Sequence, residues 1–436
     1  MELTKSSRIK KIQRITLVLL ILIGIVNYMD RATLSIANIS ISGELGLTKV
    51  HMGYLLSAFS LTYAFLQLPV GAFLDKTGSR FLLGLGLLLW SAAQFAGGLV
   101  HSFKALFITR LILGAGEAPQ FPAAAKSISE WYSIKERGRA MGTFNSSAAM
   151  GTAIAPPILT ALMLAFGWRW MFIVMGVLGV VLSVIWFVVY RNRDQIPLTP
   201  QEDNYLDRGS VISATGQATA RDWFGLFKSS STWGILLGFM GVVYMIWMYL
   251  TWLPAYLTET YNITLTHTGW LIVIPYIFAI MGSISAGFIS DHLVIRGYDM
   301  IKSRKSLVAV GLIMSGIFTI PAAYASTVTM AIFYISIAQF SVQLASGSSW
   351  ILVSSIIPSN QTASLGGIQN FGGYIAGSAA PVITGYMAQS TGSFTSALVV
   401  AACVALFSAI AHFVLVRKPI GGNNRPKKVA VVEKNA

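Results

Sequence analysis

Stretches of about twenty apolar residues, each long enough to cross a bilayer as a helix, recur from one end of this chain to the other. That recurrence limits the fold more than any motif does. Twelve stretches are read, at 15–38, 51–74, 80–101, 104–128, 138–165, 168–190, 233–258, 266–290, 306–325, 328–356, 362–388 and 392–416. In lipid each backbone N–H and C=O must be satisfied within the protein, which leaves helices or a closed barrel, and spans of this length are helical. Internal prolines, as in "APPI" (155–158), are tolerated in membrane bundles. The polar stretch 191–232 divides the spans six and six. The expected architecture is therefore an all-α membrane protein of twelve transmembrane helices. It comprises an N-terminal six-helix bundle (1–190), a cytoplasmic linker (191–232) and a C-terminal six-helix bundle with a short cytoplasmic tail (233–436).

Composition settles what the charge means. Only 11% of the 436 residues are charged, where a soluble protein carries about a quarter, yet the net charge is +15. With both termini inside, the inner loops and tails hold 26 of the 31 Lys and Arg. Lys49, Lys104 and Arg169 fall outside, and Arg31 and Arg110 fall within spans. Membrane proteins concentrate basic residues in cytoplasmic loops, so both termini are expected in the cytoplasm and the charge is a topology signal, not a nucleic-acid footprint. The basic first fourteen residues lack a small-residue cleavage site and read as a lead-in to the first helix. One cysteine, Cys403, offers no disulfide framework, and five histidines lie scattered without metal-ligand spacing. Glycines sit in apolar helices and follow no strand, so no phosphate-cradling loop is indicated. No enzyme, cofactor or metal site is expected, and the chain is read as a monomer.

The halves resemble each other. Gly142, Asn145, Ala155, Pro156 and Ile158 of span five reappear as Gly367, Asn370, Ala380, Pro381 and Ile383 of span eleven, all at an offset of 225. "GAFLDKTGSR" (71–80) has a weaker echo in "GFISDHLVIRG" (287–297). Both repeats keep their orientation, which describes parallel repeats six spans long. Such halves form transporters that rock around a site near the midplane.

The loop "GAFLDKTGSR" resembles the signature of the major facilitator superfamily. "NYMDRATLSIA", "GAGEAPQFPAAAKSISEWYSIKERGRAMGTFNSSAAMG" and "WILVSSIIP" are similar to its anion:cation symporter family, a resemblance that covers nearly the whole chain. Bacterial members of that family take up sugar acids (hexonates, hexuronates, aldarates) with protons. Animal relatives include vesicular glutamate and lysosomal sialic acid carriers. The resemblance implies that Asp30 and Glu117 carry protons and that Arg31 serves the substrate. It also implies that Asp75 and Arg80, at the cytoplasmic end of span two, latch an outward-facing state. The chain departs at Ala148, near which some sugar-acid members carry a glutamine.

The residues support the same assignment independently. A charge at mid-membrane costs about 2.5–3.5 kcal/mol even on a lenient scale, and only Asp30, Arg31, Arg110 and Glu117 lie deep in expected spans. Glu259, Asp291, His267 and His412 fall at span ends or loops. Arg110, Gly114 and Glu117, at i, i+4 and i+7, share a helix face, with a glycine between that admits another helix. Asp30 and Arg31 diverge by about 100°. Two opposite-sign pairs are expected, Asp30 with Arg110 and Glu117 near Arg31. Protonating either acid loosens its arginine, whose planar guanidinium then matches an incoming carboxylate with two parallel hydrogen bonds. A purely structural use of such pairs is wasteful, because packed apolar residues stabilise as well.

Neutral groups complete the site. Ser348, Ser349 and Trp350 in span ten, with Gln369, Asn370 and Tyr374 in span eleven, suit a polyhydroxylated ligand. Asn370 is supported by its repeat partner Asn145. Tyr28 and Tyr63 form the first-half wall, and Trp247 and Tyr249 are read mainly as packing. The expected function is proton-coupled import of an organic anion, a sugar acid foremost, across a bacterial inner membrane, with the anion, protons and the bilayer as partners. A phosphate antiporter would need bases in both halves, a drug exporter would have no use for Arg31, and a sensor would carry a signalling domain.

Overall fold

The computed structural model describes residues 5–207, 225–357 and 361–420, and within them every regular element is a helix. In the first half these are α1 (Ser7–Ile36), α2 (Asn38–Leu45), α3 (Lys49–Gly97), α4 (Phe103–Glu117), α5 (Gln120–Trp131), α6 (Ile134–Phe166) and α7 (Trp168–Val189). A short α8 (Pro200–Asp207) follows. The second half contains α9 (Ser230–Tyr261), α10 (Leu265–Leu271), α11 (Val273–Ile295), α12 (Met300–Ala323), α13 (Val328–Ile356), α14 (Thr362–Thr391) and α15 (Thr395–Leu415).

Local chemistry sets several boundaries. Ser6 caps α1 by accepting the Ile9 N–H, satisfying one of the donors a helix start leaves free. Spans two and three run on as α3 through a break at Gly78, whose φ of 74° and ψ of 163° only glycine adopts at little cost. A Cβ there would also strike the Asn192 amide. Span four is divided into α4 and α5 at Ala118–Pro119, because proline cannot donate to the helix before it.

Nine described helices are long and apolar enough to cross a membrane by themselves. The expected spans at 51–74, 104–128 and 362–388 fall outside the nine, yet they fold as helices too. They carry Gln67, Arg110, Glu117, Gln120, Gln369 and Asn370, residues that suit a helix–helix face and not a lipid face.

Each half packs on itself and then meets the other along three seams: α3 with α14, α6 with α10 and α11, and α1 with α9. The repeat seen in the sequence reappears in the first two. A Cβ on Gly53 of α3 would lie 2.7 Å from the Pro381 carbonyl oxygen of α14, and one on Gly269 of α10 would lie 3.4 Å from that of Pro156 of α6. Pro156 and Pro381 are repeat partners, so each half offers the same proline turn to a glycine of the other.

The halves are clasped at the end of the bundle opposite the chain termini, here called the distal end. Lys49 pairs with Glu259, and its ammonium lies 4.7 Å from the Phe394 ring centroid. The Val50 N–H donates to Gln389 at 3.1 Å, and the Ser35 hydroxyl donates to the Thr251 carbonyl at 2.7 Å. Gly385 backs directly onto the Lys49 carbonyl. At the other end, the start of the expected linker is folded. The Ser6 hydroxyl donates to Glu202 at 2.7 Å and Arg8 donates to the Pro197 carbonyl at 3.1 Å, which ties α8 to the start of α1. Residues 208–224 of the linker lie outside the described residues.

Close glycine contact at the distal seam predicts a conformational effect. With Cys403 replaced by serine, the pair Lys49→Cys/Glu259→Cys should be bridged readily by a bifunctional thiol reagent whose spacer matches the reach of the Lys49–Glu259 pair. Adding Gly53→Val should cut the cross-linked fraction, since overpacking costs about 1–3 kcal/mol, a shift of roughly five- to a hundred-fold in a two-state balance. Unchanged cross-linking would mean that the glycine contact does not hold the distal end closed.

Candidate functional site

Midway along the α1–α3–α4 packing, Arg31 points toward the seam between the halves. Its Nε donates to Glu117 Oε2 at 2.8 Å, with the two side chains 2% and 0% exposed. This is the second of the two pairs expected from sequence. Glu117 ends α4, and glycines seat that helix tightly against α3, whose Phe59 and Tyr63 rings flank the Arg31 guanidinium. Gly114 backs onto the Phe59 backbone of α3, and a Cβ on Gly116 would lie 2.7 Å from the Trp90 nitrogen on the far arm of the same helix.

Aromatic rings enclose the guanidinium. Its carbon lies 4.6, 5.0 and 5.2 Å from the ring centroids of Tyr28, Phe59 and Tyr63, distances at which cation–π attraction operates. The second half covers these rings: Tyr374 meets Tyr63 at 4.5 Å, Trp247 stacks on Phe59 at 5.5 Å, and Trp247 meets Tyr374 at 6.2 Å. Arg31 Nη2 and Glu117 Oε1 are buried without hydrogen-bond partners, so each member of the pair keeps an unused polar atom.

Asp30 is fully buried with neither carboxyl oxygen partnered. The expected Asp30–Arg110 ion pair is corrected by the structure. Arg110 Nη2 donates instead to the Thr33 hydroxyl at 3.2 Å, and its guanidinium carbon lies 4.9 Å from the centroid of Phe172 on α7. Thr33, one turn beyond Asp30, intercepts the guanidinium with a neutral acceptor. The same hydroxyl accepts from Gln94 at 2.9 Å and donates to the Asp30 carbonyl at 2.7 Å. Asp30 and Arg110 remain electrostatic neighbours without a direct ion pair. Asn27, beside Glu117, and Gln120 are also buried.

The second-half candidates separate into two groups. Ser349 donates to Gln369 at 2.9 Å, while Ser348 Oγ and Gln369 Nε2 are buried and unpartnered. Asn370 Nδ2 donates to Gln67 of the first half, bridging the seam. Trp350, by contrast, is 46% exposed and meets Phe239 edge-on at 5.8 Å, apart from the rings around Arg31.

Arg80 is held by its own half and by the start of the 191–232 segment in this conformation. It donates to the Phe187 carbonyl at 2.7 Å and to Gln195 at 3.4 Å, and its N–H reaches Asn192 at 2.9 Å. Asp75 belongs to α3, and its side chain lies outside the described residues.

Phe59, Gln67, Thr33 and Gln94 are absent from the sequence-derived site. Phe59, Tyr63 and Gln67 stand at i, i+4 and i+8 on α3, and Asn370 and Tyr374 at i and i+4 on α14, so each set forms one helix stripe. That spacing was the available signal.

Residues 20–381 match the family model of the Major Facilitator Superfamily. The chain is 44% identical to the probable L-galactonate transporter of Escherichia coli (strain K12), over 97% of this chain and 93% of that one. It is 34% identical to the D-galactonate transporter of Escherichia coli O6:H1 (strain CFT073), over 92% and 95%. Among solved structures, a bacterial homolog of the human lysosomal transporter Spinster, inward-facing and occupied, superposes with a TM-score of 0.78 at 18% identity, covering 93% of this chain and 97% of that one. The chain belongs to the Major Facilitator Superfamily and is a multi-pass membrane transporter, not an enzyme.

Proposed function

We propose that the chain is a proton-coupled symporter that imports a sugar acid across a bacterial inner membrane, with both termini in the cytoplasm. The observation that carries this reading is the buried Arg31–Glu117 pair beside the unpartnered Asp30, roofed by rings from both halves. A site that moves an anion with protons needs a cation for the anion, acids that release the cation when protonated, and walls supplied by both moving bodies. Relatives named as galactonate transporters support the substrate class, and the basic inner loops support the orientation.

In this reading residues 1–190 and 233–436 rock as two bodies joined by 191–232. Facing out, Asp30 and Glu117 take up protons, and Glu117 thereby lets go of Arg31. The guanidinium binds the carboxylate of the sugar acid, and Tyr28, Tyr63, Ser348, Ser349 and Asn370 contact the hydroxylated chain, with Trp350 standing apart in this conformation. The bundles rock, the acids lose their protons to the cytosol, and Glu117 reclaims Arg31 and displaces the anion. The conformation seen, with the distal end clasped and Arg31 held by Glu117, corresponds to the state after release. Arg110, braced by Thr33 and Phe172, sets the field around Asp30. Asp75 and Arg80 act at the cytoplasmic rim, where brief ion pairs gate one conformation against the other.

Two outcomes are expected in proteoliposomes under an inward proton gradient. Wild type accumulates a hexonate, whereas Asp30→Asn and Glu117→Gln lose gradient-driven accumulation but still exchange the anion across the bilayer. Normal accumulation by both variants would remove the proton-coupling role. Arg31→Lys keeps the charge but loses the bidentate fork, so binding should weaken by about 1.5–3 kcal/mol, or roughly ten- to a hundred-fold in Kd. Isothermal titration with galactonate reads this directly, and an unchanged Kd would place the carboxylate elsewhere.

A further inference from the structure

The charge layout of the site limits its ligand further, given the sugar-acid reading above. Among the described residues Arg31 is the one buried cation linked to rings of the second half, through the Tyr63–Tyr374 contact and the Phe59–Trp247 stack. Arg110 is directed elsewhere. Its partner Thr33 lies two residues beyond Arg31 and so leaves α1 about 200° away. The other groups around Arg110, namely Phe172 on α7 and Gln94 reached through Thr33, belong to the first half.

On the opposite wall, no Lys, Arg, Asp or Glu is buried among the described residues of the second half. What that wall buries near α13 and α14 is neutral: the unpartnered Ser348 hydroxyl, the Ser349–Gln369 hydrogen bond with its unused Gln369 Nε2, and Asn370 at the seam. The buried histidine of that half, His412, is hydrogen-bonded to the Gly234 carbonyl between α15 and α9. It belongs to a different helix pair from α13 and α14.

We infer that this transporter takes sugar acids with a single carboxylate and rejects the dianionic diacids. One carboxylate meets the guanidinium. Hydroxyls, which donate and accept, suit the amides and hydroxyls of the second half. A carboxylate at both ends leaves one buried among neutral groups with no counter-charge. Removing a charge from water without a partner costs more than losing a hydrogen bond. Selectivity then comes from a penalty on the wrong ligand as much as from contacts to the right one.

Competition in proteoliposomes tests this. Uptake of radiolabelled galactonate by wild type is measured at neutral pH, where sugar carboxylates are fully ionised, against unlabelled galactonate, galacturonate, galactarate and the monoamide of galactarate. The expected result is inhibition by galactonate and by the monoamide, with galactarate weaker by roughly ten-fold or more. The monoamide has the length of the diacid and one charge fewer, so its inhibition assigns the rejection to charge and not to size. Equal inhibition by galactarate overturns the inference and leaves the sugar-acid reading standing. Rejection of the monoamide together with galactarate also overturns it, in favour of a limit on length. If no sugar acid is taken up at all, the reading beneath fails and this inference falls with it.

Discussion

The site depends on a guanidinium and a carboxylate taken out of water together. Arg31 and Glu117 lie 2.8 Å apart at the middle of a membrane bundle, where an isolated charge is expensive and a pair survives only because each member offsets the other. Such a pair is a poor source of stability and a good switch. In the proposed cycle, neutralising Glu117 by a proton leaves Arg31 charged and unmatched, and an anion restores the balance. The proposed coupling of proton to anion rests on this electrostatic exchange and needs no covalent step. The rings of Tyr28, Phe59 and Tyr63 hold the guanidinium in place, and Tyr374 and Trp247 link its state to the second half.

Part of the seam between the halves is made of small residues and backbone. At the distal end Gly53 and Gly269 rest near the carbonyls of Pro381 and Pro156, residues that the internal repeat relates. Backbone contact of this kind is tight when made and leaves few side chains to untangle when broken, which suits a rocking seam. The Lys49–Glu259 pair and the Ser35–Thr251 hydrogen bond add directional contacts at the same end. Nearer the termini, Gln67 and Asn370 bridge α3 and α14 one turn from Tyr63 and Tyr374. The proposed substrate wall and the seam between the halves therefore share the same two helices.

Much of this was legible in the sequence because membrane physics is strict. Apolar runs of crossing length, the basic bias of alternate loops and the repeat at an offset of 225 gave the all-helical plan. Rare intramembrane charges singled out Asp30, Arg31, Arg110 and Glu117, and helix geometry paired Arg31 with Glu117 as the structure does. The other pair was misread because periodicity tracks charge and ignores a neutral competitor: Thr33, one turn from Asp30, takes the Arg110 guanidinium. Gln67 and Phe59 were passed over because a lone amide or ring in a span reads as packing until its partner on the other half is known. Trp350 illustrates the converse, since its chemistry fits a sugar while its ring stands half exposed beside Phe239.

The central claim is that anion binding and protonation of the Arg31–Glu117 pair are one event. The direct measurement is proton uptake on binding, by adding galactonate to purified protein in weakly buffered detergent and following pH. The account predicts that binding draws protons from solution, and that Glu117→Gln binds galactonate while drawing fewer. Binding by wild type with no proton uptake would contradict it, and would leave the ion pair as a structural strut between α1 and α4.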